Sequence, residues 1–141
     1  MDFLDKRVGV ICNELKKLKV KQVFPLTQWE YKEGNFIHPE DALKDEAAWE
    51  NFDCKTMHWY GKDRHYWFRT TYTIPEELDG KSVWIRVSSQ IDEWDDGRNP
   101  QFIVFVNGEV YQGIDMNHRE CLITRSGKAG ETLTIDLQAY T

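Results

Sequence analysis

Asp115, Asn117, His118 and Arg119 crowd hydrogen-bonding side chains of four kinds into positions 115–119. Fixed donors and acceptors of this mixture suit sugar hydroxyls when a loop holds them in a concave surface. They follow a strong hairpin signal, Asn107-Gly108, and loops on rigid β scaffolds commonly carry function. The same residues also suit a tight turn held by its own hydrogen bonds, and the spacing alone supports both readings.

Other constellations carry less. Cys54 and His58 are close enough to share a metal, but no second ligand pair follows. A zinc site from His58, His65 and His118 would need the fold to gather them, so polar loop contacts are the expectation. In the acidic stretch 91–100, Asp92, Asp96 and Gly97 fit an EF-hand calcium loop. Trp94 and Ile103 stand where that loop needs ligands, so the template fails. A solvated acidic loop is expected there, with a calcium site of another kind as the alternative. No GxSxG, P-loop, GxGxxG or HExxH pattern occurs, and no acid pair is singled out for glycoside hydrolysis. Catalysis within the chain has no positive support.

The elements that would position these residues are mostly strands. From Arg64 onward the apolar period is two: Tyr66, Phe68, Tyr72 and Ile74 share one face, and Trp67, Arg69, Thr71 and Thr73 the other. Val83, Ile85 and Val87 alternate likewise, as do Leu133, Ile135 and Leu137. Phe102 to Val106 is apolar on both faces, as in a central strand, with Val110 to Gln112 returning after Asn107-Gly108. Cys121 to Thr124 forms a further strand. Short strands separated by turn signals predict an antiparallel β-sandwich or barrel, not βαβ units. Upstream, Leu4, Val8, Ile11, Leu15 and Leu18 form one stripe of a helix over 2–19. Residues 20–38 read as an irregular or extended connector, and the run after Pro39, Glu40 to Phe52, as a short helix. This divides the chain into a helix and connector, 1–58, and a sandwich, 59–141.

The chain has 141 residues and a net charge of −6. That length suits one domain. The acidic balance argues against nucleic acid, and Lys16, Lys17, Lys19 and Lys21 are accounted for as the basic end of the helix. Six Trp, seven Phe and six Tyr supply core, and rings of this kind also serve as sugar platforms. Cys12, Cys54 and Cys121 are neither a disulfide framework nor a CxxC site. No stretch is apolar for the ~20 residues of a membrane span, and no leader pattern opens the sequence. The expectation is a cytoplasmic protein without a membrane partner. Its end at Thr141, directly after a strand pattern, reads as a fragment of a longer chain.

The segment from Trp59 to Glu120 resembles the N-terminal domain of class II α-mannosidases, the cytosolic and bacterial branch of glycoside hydrolase family 38. The resemblance lies in Trp67-Phe68-Arg69 on a strand ending in Ile74-Pro75, and in Asn107-Gly108 followed by Gly113-Ile114-Asp115-Met116-Asn117-His118-Arg119. The opening helix and Trp29-Glu30-Tyr31-Lys32-Glu33-Gly34 are similar too. It implies a jelly-roll, galactose-binding-like sandwich that accompanies a zinc-dependent retaining exo-α-mannosidase. Zinc ligands and nucleophile would lie in a later α/β barrel that carries a His-x-Asp. Here His38, His58, His65 and His118 are followed two places on by Glu40, Tyr60, Trp67 and Glu120. The chain is therefore expected to be non-catalytic and to hold no cofactor itself, zinc belonging to the parent enzyme. Its expected partner is the catalytic domain of the same chain, faced by Asp115, Asn117, His118 and Arg119. An independent carbohydrate-binding module is the alternative. Pairing of two N-terminal helices in a homodimer is also expected.

Overall fold

The alternation that begins at His65 builds the longest strand pairing of the molecule. The computed structural model describes residues 3–90 and 99–141; the acidic run Asp92 to Gly97 lies outside them. Strand β3 (His65–Thr73) pairs antiparallel with β8 (Thr132–Tyr140), from His65 opposite Tyr140 to Thr73 opposite Thr132. Directly opposed residues share a face. Phe68 and Leu137 thus point together into the core, and Arg69 and Asp136 together to the other side.

Strands β5 (Gln101–Val106) and β6 (Glu109–Ile114) extend this sheet on one side. Asn107 and Gly108 join them with φ of 51° and 86°, the left-handed pair that a type I′ hairpin requires. On the other side lie β1 (Gln28–Glu33) and β2 (Glu50–Asp53), giving the order β2-β1-β3-β8-β5-β6. A second sheet pairs β4 (Val83–Arg86) with β7 (Glu120–Thr124). The expected antiparallel β-sandwich is the fold found. Its main core lies between the sheets, where Val83, Cys121 and Ile123 meet residues such as Phe68, Val104, Ile135 and Leu137.

The outer face of the large sheet is covered in part by α2 (Pro39–Lys44) and the residues around it. Ala42 sits on Trp67 and Phe105, with Phe36 and Trp49 beside them. Lys32 projects into this cover and is only 4% exposed. Its ammonium donates to Asp45 Oδ2 at 3.0 Å and to the carbonyls of Asp45 and Ala47, and lies over the rings of Phe36 and Trp49. A buried cation persists where it is paired, and here the pairing fixes the cover to the sheet.

The stretch expected as a connector is part of the sandwich rather than a lead into it. Strands β1 and β2 belong to the same sheet as β3, so that sheet runs across the 58/59 division. Trp29 and Phe52 are buried in the same core as Tyr66. The helix expected after Pro39 ends at Lys44, and Glu50–Asp53 is a strand. Asp45 has extended backbone. Its carboxylate accepts from Ala47 N at 3.1 Å as well as from Lys32, which turns the chain out of the helix.

Helix α1 (Phe3–Lys19) forms as the apolar stripe indicates, with Asp5 in its first turn and Lys16, Lys17 and Lys19 in its last. None of its residues is buried. It reaches the sandwich through the pair Lys19 Nζ–Glu120 Oε2 at 2.7 Å. Exposed ion pairs of this kind are worth little, so this contact does not anchor the helix.

Candidate functional site

The turn between β6 and β7 is organised by Asp115. Its Oδ1 accepts from Asn117 N at 2.8 Å and from His118 N at 2.7 Å, and lies 3.1 Å from His118 Nδ1. The backbones of Asp115 and His118 close the turn with reciprocal N–H···O bonds of 3.3 Å. Arg119 is turned back, its Nε donating to Met116 O at 3.1 Å. The His118 amide donating to the Asp115 carboxylate, aided by Asn117 N and the His118 ring, holds that carboxyl below its usual range. These four residues come together as a turn that satisfies itself. Asn117 and the His118 ring are exposed, so the turn presents them outward on a fixed backbone.

Asp115 also ends a groove of about 440 Å³ on the outer face of the large sheet. The groove runs over β5, β6 and β8, beyond the part covered by α2. Tyr140, Gln101 and His65 supply one row of its lining, and Gln138, Ile103 and Gly113 the next. Tyr140 is held at two points: its hydroxyl donates to Asp63 Oδ1 at 2.9 Å, and its ring lies 4.9 Å from that of His65. The Asp63 carboxylate that accepts this bond pushes the pKa of the Tyr140 hydroxyl up. Gln138 Nε2 donates to Phe36 O at 2.6 Å, which leaves its amide oxygen as an acceptor.

The turn was legible in the sequence and the groove was not. The groove's residues come from four strands, and each by itself fits ordinary alternation. A signal was nevertheless present: Gly113 stands within a strand, and Ile103 and Tyr140 put apolar surface on a solvent-facing side. Among the described residues no group of three or more His, Cys, Asp or Glu side chains is placed to hold a metal ion. His58, His65 and His118 are thus not gathered. No helix of the described residues is long and apolar enough to cross a membrane. No protein-family model, curated protein or solved structure matches this chain.

Proposed function

We propose that this chain is the non-catalytic N-terminal domain of a cytoplasmic, zinc-dependent retaining α-mannosidase that removes terminal α-mannose from glycans. The observation that carries the reading is the segment 113–119, which leaves β6 and forms the turn at Asp115 to His118. Its sequence is the most specific part of the resemblance, and its backbone is locked by Asp115 so that Asn117 and His118 face outward. A rigid turn with outward polar side chains suits docking against the mouth of a neighbouring catalytic barrel. No donor set among the described residues suits zinc, and no chemical step through the metal is assigned to them.

The deciding test is the natural reading frame. It should continue past Thr141 into a barrel of roughly 250 residues that carries a His-x-Asp. A frame that holds no such barrel sinks the reading. In the intact enzyme, Asn117→Ala or His118→Ala should lower mannosidase activity. Wild-type activity and melting in both variants would make the turn plain surface. The second reading, an independent carbohydrate-binding module, is favoured by the groove beside Asp115.

A further inference from the structure

We propose that the groove on the outer face of the large sheet binds a single pyranose ring, with the sugar's apolar face on Tyr140 and Ile103 and its hydroxyls on the amides of Gln101 and Gln138. The geometry of the groove carries this, independently of any relation to mannosidases.

Gly113 is the first argument. Glycine weakens a strand because it has no side chain to pack and loses more backbone freedom on folding. Such a residue usually answers a positive φ or a close approach. Gly113 has neither: its φ lies outside the left-handed region, and an added Cβ would meet only Phe102 O, at 3.9 Å. Nothing in the fold calls for glycine here. What its missing side chain does provide is open space opposite Ile103, where the two residues pair. That space is part of the groove.

Tyr140 is the second. It stays 41% exposed although Asp63 accepts from its hydroxyl and the His65 ring lies against it. Ile103, two strands along the groove floor from His65, is 39% exposed. An apolar platform held in place without a ligand loses little entropy when a ligand arrives. Polar groups flank it: Gln101 is exposed, and the amide oxygen of Gln138 is left over from its bond to Phe36.

Charge is the third. Among the described residues no Lys or Arg lines the groove, and Asp115 Oδ1 is taken by its own turn. An anionic ligand would find no cationic side chain in the lining, and the only carboxylate there is already engaged by the turn. A neutral molecule with one apolar face and a rim of hydroxyls fits this lining, and a pyranose has that chemistry. The volume also falls in the range of small-ligand sites.

The test is an amide-resolved NMR titration of the whole chain with the methyl α-pyranosides of mannose, glucose and galactose, with sorbitol as an acyclic control. At least one pyranoside should give saturable shifts at Gln101, Ile103, Gly113, Gln138 and Tyr140, and sorbitol should not. Gly113→Val fills the open space and should abolish the shifts while leaving thermal melting unchanged. Gln101→Ala, at an exposed position, should leave folding intact and weaken binding about tenfold through one lost hydrogen bond. It carries the test if the valine variant fails to fold. Absence of shifts with every pyranoside, equal shifts with sorbitol, or binding unchanged in Gln101→Ala and in a folded Gly113→Val would each overturn the inference. None of these results touches the reading frame beyond Thr141, so this proposal and the mannosidase reading can fail separately.

Discussion

Two aspartates in this molecule are pushed in opposite directions. Asp136 is 1% exposed, and its oxygens have no hydrogen-bond donor among the described residues; Arg69 Nε stands 3.5 Å away. Burial raises its pKa, and the Arg69 charge offsets that only in part. The folded state therefore holds the extra proton above the ordinary carboxylate range. In that window stability falls as pH rises. Asp115, whose pKa is lowered, does the reverse: its contribution is present above the ordinary range and is lost as pH falls through its folded value. Carboxyl-resolved NMR should find Asp115 titrating below, and Asp136 above, the model-peptide value. Equal midpoints would show that neither the turn at Asp115 nor the burial of Asp136 acts on its carboxyl. Removing one partner of a buried pair strands the other, so Arg69→Ala should cost about 3–5 kcal/mol in chemical denaturation. Replacing both, as Arg69→Met with Asp136→Leu, should be neutral or stabilising. If the single variant costs less than the double, Asp136 is not a stranded charge.

At the scale of elements, α1 has a helix's pattern and buries none of it. A 17-residue helix alone in water is marginal. Leu4, Val8, Ile11, Leu15 and Leu18 keep a 4-3 spacing that is self-complementary about a two-fold axis. We expect the chain to dimerise through this stripe. Between Phe3 and Lys19 the helix carries Lys6, Arg7, Lys16, Lys17 and Lys19 against Asp5 and Glu14, so like charges oppose pairing and added salt should strengthen it. Light scattering should report a dimer that Ile11→Asp with Leu15→Asp converts to a folded monomer. A monomer at every salt concentration would remove the pairing. The helix, the hairpin at Asn107-Gly108 and the strands from His65 onward were legible because period and turn chemistry are local. The strand at Glu50–Asp53 was not: Ala47, Ala48 and Trp49 read as helix, and what ends it is a buried lysine thirteen residues back, Lys32, holding Asp45. The groove was illegible for the same reason, since only strand register brings Gly113 beside Ile103.

At the scale of the whole molecule, what matters is which part of the chain folds as a unit. Helix α1 buries nothing, so removing residues 1–24 should leave a sandwich that melts cooperatively near the temperature of the full chain. Removing residues 1–58 is different. It takes away Trp29 and Phe52 from the main core, and Ala42 together with its neighbours from above Trp67. Each large apolar side chain contributes roughly 1.5–3 kcal/mol on burial. Tyr66, Trp67 and Phe68 would also lose cover, so the total loss rivals the ~5–15 kcal/mol that a domain possesses. The deletion further strips β1 from β3, which then becomes an edge strand with its N–H and C=O groups open along Tyr66 to Arg69. An apolar edge of that kind is a template for aggregation. The shorter deletion should therefore give a folded protein, and the longer one an aggregating chain without a cooperative transition, as followed by circular dichroism and light scattering. A cooperative, non-aggregating melt from residues 59–141 alone would place a folding boundary at 58/59 and show that β1 and β2 merely dock on a sandwich complete without them.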